Sequence, residues 1–142
     1  MRSPRRHLAL AATALSCELL ISGCGLLDGG LAEDRTPLTD SRVVGTWNGT
    51  NCPATLTINA DHSARVTGFP VDTDGSKVTK TVAGDGSWKI DPAVVPQRLS
   101  LTIGSAGHEV GSGKDGSTTV LYVTVGDPDD GVACRYLRST SK

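Results

Sequence analysis

Apolar and polar residues alternate along much of the chain after residue 42, with a period of two. In RLSLTIG the apolar residues Leu99, Leu101 and Ile103 are separated by single polar residues. The segments ATLTIN and TTVLYVTV repeat this pattern. Because successive side chains of a strand point to opposite faces of the sheet, each segment predicts a strand with one face in a core and the other in water.

Five weaker segments complete a set of about eight predicted strands. They read VVGTWNGT, ARVTGF, KVTKTV, GSWKI and VACRYLR, in chain order. Turn-forming residues separate the predicted strands at 61–63, 72–76, 83–86, 114–117 and 127–131. Pro92 and Pro96 leave no room between them for a helix longer than a turn.

The connections between these strands are of hairpin length, which favours an antiparallel up-and-down barrel. Closure of a barrel also removes exposed sheet edges. The predicted fold is therefore all-β, a small antiparallel up-and-down barrel of about eight strands, with a β-sandwich as the alternative. The residues expected to face inward are Trp47, Leu56, Ile58, Val66, Trp88, Leu99, Leu101, Ile103, Leu121, Val123 and Val125.

The first 23 residues have the organisation of an export signal. A basic stretch, MRSPRRH, precedes an apolar one, LALAATALSCELLIS, which contains Glu18 and is shorter than the roughly 20 residues of a membrane-spanning helix. The last two residues of the apolar stretch, followed by Gly23 and Cys24, read ISGC. This motif resembles the lipobox of bacterial lipoproteins. The resemblance implies a diacylglyceryl group on Cys24, cleavage between Gly23 and Cys24, and a new amine open to acylation by a fatty acid such as palmitate. A plain secretory signal cut elsewhere, or a buried helix, is the alternative.

A lipid on Cys24 would hold the protein on the extracytoplasmic face of the cell membrane, since two acyl chains suffice for stable anchoring. The next residues, GLLDGGLAEDRTPLTDS, are rich in Gly and Asp and show no sustained period, so they predict a flexible tether. The predicted organisation is a signal peptide at 1–23, a lipidated cysteine and tether at 24–41, and a β domain at 42–142.

The first predicted strand contains GTW at residues 45–47, and this resembles the first strand of lipocalins and avidins. In those families the Trp plugs the closed end of the barrel, often beneath an Arg from the last strand. The resemblance therefore implies a pair between Trp47 and either Arg135 or Arg138. It also implies a ligand cavity, and Trp47 and Trp88 are candidates to line it. An avidin-type biotin pocket is walled by several Trp, whereas this chain has two, so we expect no biotin binding.

Cys52 and Cys134 are the cysteines that remain once Cys17 is cleaved away and Cys24 carries lipid. Export to an oxidising compartment predicts a disulfide between them. Cys52 follows the first predicted strand and Cys134 lies in the last, and these strands must meet to close an up-and-down barrel. Two buried free thiols are the alternative.

Charge and motifs argue against several other functions. Cleavage after Gly23 removes three basic residues and one acidic residue, which leaves 11 basic and 14 acidic residues and a net charge of −3. The remaining basic residues stand singly among carboxylates, so we expect no nucleic-acid partner. His62 and His108 form no known catalytic motif with Ser112 or Ser117. No sequence motif for a metal or a cofactor is present, so we expect neither.

Three functions therefore remain for the domain. The leading hypothesis is a non-catalytic, membrane-anchored lipoprotein whose barrel acts by binding or scaffolding, with the membrane and an envelope protein or a small apolar ligand as partners. The main alternative is a lipocalin-like carrier that encloses a small apolar molecule. The third is an extracellular hydrolase whose catalytic residues only the folded geometry would reveal.

Overall fold

The computed structural model of the chain describes residues 26–27, 30–75, 77–127, 129 and 131–140. The predicted signal peptide at 1–23, its cleavage site and Cys24 lie outside these residues. The elements described are β1 (Leu26–Leu27), β2 (Leu31–Glu33), α1 (Asp40–Val43), β3 (Gly45–Gly49), β4 (Thr55–Ile58), β5 (Ser63–Asp74), β6 (Lys77–Asp91), β7 (Arg98–Ile103), β8 (Ala106–Asp115), β9 (Thr118–Val123) and β10 (Cys134–Arg138). In this part of the chain, no helix has the length and apolar character needed to cross a membrane.

The eight strands from β3 to β10 form a closed antiparallel barrel. Each strand pairs with the next one along the chain. The last strand then pairs with the first, with Tyr136 opposite Gly49 and Arg138 opposite Trp47. The all-β class and the up-and-down barrel are therefore confirmed over the sandwich.

The strands themselves differ from the prediction in two places. KVTKTV and GSWKI belong to one strand, β6, because pairing with β5 continues through the predicted turn at 83–86, where Arg65 lies opposite Asp85. Strand β8 (Ala106–Asp115), AGHEVGSGKD, was not predicted, and its last two residues fall in the predicted turn at 114–117. Its only large aliphatic residue is Val110, so it lacks the alternation that marks the other strands.

One glycine of β8, Gly111, is explained by the side chain that lies over it. A Cβ atom on Gly111 would lie 2.3 Å from the ring of Tyr122, so only glycine fits beneath that ring. Leu31, Val120 and Tyr122 form a second apolar cluster. Strand β2 supplies Leu31 and pairs with β8, with Glu33 opposite Gly113. The second half of β8 therefore pairs with both β2 and β9.

Part of the predicted tether packs against the barrel. Leu31 is fully buried and Leu38 nearly so. The buried carboxylate of Asp34 lies 2.6 Å from Nη2 of Arg42, a residue of α1. The packed part of the chain therefore starts before the predicted boundary at residue 42, because burying these apolar side chains outweighs the Gly-rich composition that predicts flexibility.

Side chains occupy the interior of the barrel. The predicted inward residues are buried, except that Ile103 and Val125 are only partly so. Several further residues share this core, notably Phe69, Val110 and Tyr136. Barrels of eight strands have interiors just wide enough for side chains to fill or for one small ligand.

Candidate functional site

The two ends of the barrel carry different elements. At one end, called the plug end here, α1 lies beside the turn at residues 59–62, and His62 Nε2 is 3.9 Å from Asp40 Oδ2. The opposite end, called the mouth, carries the β5–β6 hairpin and the loop between β9 and β10. The long β5–β6 hairpin determines the shape of the mouth.

The hairpin bends because its pairing is irregular. The register shifts between Val66 and Phe69, and again on both sides of Asp72. Gly68 has a φ of +61°, and a Cβ atom there would lie 2.3 Å from the carbonyl oxygen of Pro53. Bulges of this kind bend a strand and increase its twist. The outer half of the hairpin is therefore directed away from the line of the barrel wall.

A hydrogen bond shows which part of the barrel the bent hairpin contacts. Thr73 Oγ1 donates to the carbonyl oxygen of Val125, at 3.0 Å. Thr73 belongs to β5 and Val125 follows β9, and these two strands are four places apart in a ring of eight. The hairpin therefore reaches across the mouth to the opposite wall.

Between the hairpin and the tip of the β7–β8 hairpin is a cleft of about 340 Å³. This volume is at the small end of the range for ligand pockets, about 300–1,000 Å³. Four aliphatic and three polar residues line it: Val71, Val82, Ile103 and Ala106, with Asp72, Lys80 and His108. We call this site the mouth cleft. Its mixed lining suits a ligand with an aliphatic part and a polar group.

The fold of the mouth cleft changes the pKa of His108. Its ring packs on Phe69, with 5.3 Å between the ring centroids. Burial lowers the pKa of His108 below its ordinary value of 6.5. At neutral pH the ring is therefore uncharged, and it offers one nitrogen donor and one acceptor. Because β8 was not among the predicted strands, the position of His108 in the cleft was not predicted either.

The plug end carries the pair that the GTW resemblance implies. Arg138 lies over Trp47, with 4.9 Å between the guanidinium carbon and the ring centroid. The Arg138 guanidinium also donates to the carbonyl oxygen of Arg42, and Trp47 Nε1 donates to that of Val43 at 2.8 Å. Of the two candidate arginines, Arg138 is therefore the one that pairs with Trp47.

The two tryptophans expected to line a cavity are both buried near the plug end. Trp47 borders a surface depression of about 310 Å³, together with Arg42, Thr119 and Arg138. Trp88 Nε1 donates to the carbonyl oxygen of Asn59 at 2.8 Å. The residues that line the mouth cleft include neither tryptophan. Both lie instead where the chain closes the barrel.

Cys52 and Cys134 are joined by a disulfide, with 5.5 Å between their Cα atoms. This separation is within the range for disulfides. Cys52 lies in the loop between β3 and β4, and Cys134 opens β10. The bridge therefore ties together the strands that close the barrel, on the mouth side.

The histidines and serines considered as catalytic candidates are dispersed. His62 stacks on Trp88 at the plug end, with 4.6 Å between the ring centroids, whereas His108 lies at the mouth. Ser112 is buried and Ser117 is exposed in the turn after β8. Among the described residues, no group of three His, Cys, Asp or Glu side chains is placed to hold a metal ion.

The fold thus places this chain in the class of closed eight-stranded antiparallel barrels, in agreement with a lipocalin-like barrel. Comparison of the chain with protein families, with curated proteins and with solved structures finds no match.

Proposed function

We propose that this chain is a non-catalytic lipoprotein, held by Cys24 on the extracytoplasmic face of the cell membrane, that binds a small ligand with an aliphatic part in the mouth cleft. The observation that carries this proposal is the cleft itself, of about 340 Å³ with four aliphatic residues in its wall. The lipobox supports the location. The disulfide between Cys52 and Cys134 supports an oxidising compartment.

The packing of the barrel favours the mouth over the interior as the binding site. Trp47, Phe69 and Tyr136 are the largest of the fully buried side chains, and all three belong to the barrel core. A ligand enclosed in the manner of a lipocalin would have to displace these packed side chains. A ligand in the mouth cleft would bury its aliphatic part against Val82 and Ile103 without displacing any of the three.

The polar residues of the cleft define how such a ligand would be oriented. Lys80 supplies a cation, Asp72 an anion and His108 a neutral ring, all on one site with aliphatic walls. A straight-chain molecule with one polar end matches this lining, with its chain on the aliphatic wall. The lining has no large aromatic surface for stacking, so flavins and nucleotides are poor candidates.

A chain-length series tests the proposal directly. The mature chain carrying Cys24→Ser, which needs no detergent, is titrated with straight-chain alkanoates from butanoate to decanoate while the NMR signals of the His108 ring are followed. Each buried CH₂ contributes about 0.8 kcal/mol, so affinity should rise roughly fourfold per carbon until the cleft is filled. Biotin and a nucleotide should leave the His108 signals unchanged.

Two tryptophan variants provide the control. Ala106→Trp places a large side chain in the cleft and should abolish binding, whereas Ser117→Trp, in the exposed turn after β8, should leave it intact. Saturable binding of biotin or a nucleotide would contradict the proposal. No binding by any member of the series would instead favour a scaffold that acts through its outer surface.

A further inference from the structure

The surface depression at the plug end, of about 310 Å³, is a second site with a lining unlike that of the mouth cleft. We call it the plug depression. Its lining combines one indole, two guanidinium groups and three hydroxyl groups, from Trp47, Arg42, Arg138, Ser41, Thr118 and Thr119. Among the described residues of the lining, none is a carboxylate. Guanidinium and hydroxyl groups that converge on one depression are the donors that proteins use to bind anions.

The strand pairing gathers polar residues into one row beside the depression. Lys114 of β8 lies directly opposite Thr119 of β9. Arg138 of β10 is opposite Trp47 of β3, and it is beside Thr119, one position beyond the last residue pair of β9 and β10. These pairings run without a register shift, so opposed side chains share one face of the sheet. Because Trp47 belongs to the barrel core, the row lies on the inner face, at the rim of the plug end.

The charges around Thr119 are mostly positive. Nη2 of Arg42 lies 3.4 Å from the Thr119 hydroxyl, and Lys114 and Arg138 lie on its two sides in the row. Arg42 already has a counter-ion, because Asp34 is 2.6 Å from its guanidinium. In the described part of the chain, no carboxylate forms a salt bridge with Lys114 or Arg138. The row therefore carries positive charge, on a chain whose net charge is −3 after signal cleavage.

The hydrogen bonds already present leave donors for a ligand. Nη2 of Arg138 donates to the carbonyl oxygens of Ser41 and Arg42, whereas Nε and Nη1 donate to none of the described residues. Thr119 Oγ1 accepts from Arg42, so its own proton remains to be donated. Trp47 Nε1 donates to a carbonyl oxygen of α1, and its ring packs against Arg138. A guanidinium edge and a hydroxyl proton are therefore available at the plug depression.

We propose that the plug depression binds a phosphate group. A tetrahedral phosphate accepts hydrogen bonds in several directions, which matches donors that come from α1, β9 and β10. A planar carboxylate, by contrast, is satisfied by one guanidinium fork. The volume of the depression leaves room for the group that carries the phosphate. Two sources carry it, the head group of an anionic phospholipid and a soluble phosphate ester. The proposal depends neither on the mouth cleft nor on a lipid at Cys24.

An NMR titration tests the soluble source. The mature chain carrying Cys24→Ser is titrated with glycerol phosphate while the indole N–H signal of Trp47 is followed. The signal should shift saturably, because the ligand meets the guanidinium that packs on this ring. Acetate at the same ionic strength should leave the signal unchanged.

Substitutions in the row identify the groups that bind. Arg138→Gln should weaken binding roughly tenfold, since it removes charge-assisted hydrogen bonds. Because Arg138 also contributes to the closure of the barrel, two further variants keep the test independent of its stability. Lys114→Gln and Thr119→Val should each weaken binding about threefold. Lys89→Gln, which removes an exposed lysine of β6, is the matched control and should bind like the parent.

Co-sedimentation with vesicles tests the lipid source. The same chain should sediment with vesicles of phosphatidylglycerol but not with vesicles of phosphatidylcholine, in which a choline cation offsets the phosphate. Sedimentation that Lys114→Gln weakens assigns the site to a lipid head group, and a Trp47 shift without sedimentation assigns it to a soluble phosphate ester. Neither a shift nor sedimentation, an equal response to acetate, or equal losses in Lys114→Gln and Lys89→Gln would overturn the proposal.

Discussion

The guanidinium of Arg138 lies over the indole of Trp47, 4.9 Å from the ring centroid, and joins the last strand of the barrel to the first. The same two residues are directly opposite in the β10–β3 pairing. Through the carbonyl oxygen of Arg42 the guanidinium also fixes α1. A single side chain therefore connects both barrel-closing strands and α1.

Removal of that side chain should destabilise the fold. Arg138→Ala loses a cation–π contact and the hydrogen bonds to α1, at a cost of about 2 kcal/mol. For a domain near this size, Tm should fall by roughly 4–8 °C for each kcal/mol. Arg135→Ala, the other arginine of β10, is the control in thermal unfolding and should change Tm much less. Equal effects of the two substitutions would show that the contact with Trp47 contributes nothing.

The close packing of Tyr122 on β8 gives a second prediction. Gly111→Ala should lower the free energy of unfolding by about 1–3 kcal/mol, because the new Cβ would overlap the Tyr122 ring. Urea unfolding measures this change. Gly107→Ala, in the same strand, is the matched control, since a Cβ there meets nothing within 4 Å. If both variants unfold at the same urea concentration, Tyr122 does not pack on Gly111.

Because Asp34 and Arg42 form an ion pair, the free energy of unfolding should depend on pH in the acid range. Burial alone would raise the pKa of Asp34, but hydrogen bonds from Thr36 and Arg42 together hold it below the ordinary value of 3.8. The contribution of the ion pair to the free energy of unfolding is therefore complete above the pKa of Asp34 in the unfolded chain, about 3.9. It is lost as pH falls through the lower pKa of Asp34 in the folded protein. Asp34→Asn should cost about 3 kcal/mol at neutral pH. Its stability should also fall less steeply than the parent's below pH of about 4. Parallel acid unfolding curves would contradict the assignment.

The lowered pKa of His108 predicts that stability also changes in a second, higher range of pH. Because burial lowers its pKa in the folded state, its contribution to stability is complete above the unfolded pKa of about 6.5 and decreases as pH falls below it. His108→Phe keeps a ring against Phe69 but removes the titrating group. Its Tm should therefore fall less than the parent's between neutral pH and mild acid. An unchanged pH profile would show that burial does not disfavour protonation at this position.

The alternation of residues was sufficient to predict most of the barrel. RLSLTI, TLTI and TTVLYV form strands because each carries large apolar residues on one face. The same rule divided β6 in two, because AGDG at 83–86 has the composition of a turn, whereas pairing with β5 keeps these residues extended.

Strand β8 and the mouth cleft could not be found in the same way. Gly111 of β8 is small because the ring of Tyr122, from the next strand, lies over it, and β8 carries few apolar residues to mark it as a strand. The cleft depends on the bend at Gly68 and on the contact of Thr73 with Val125, which no local pattern encodes. The contact between Trp47 and Arg138 at the plug end, by contrast, could be predicted from the short GTW resemblance.

Native mass spectrometry of the protein taken from the membranes of its host tests the lipid anchor and the ligand together. We expect a chain that begins at Cys24, carries lipid on that residue, and retains a small aliphatic molecule that the Ala106→Trp variant lacks. Cys24→Ser should remove the lipid and release the protein from the membrane fraction. A membrane-bound chain that begins elsewhere and carries no lipid would rule out the proposed lipoprotein.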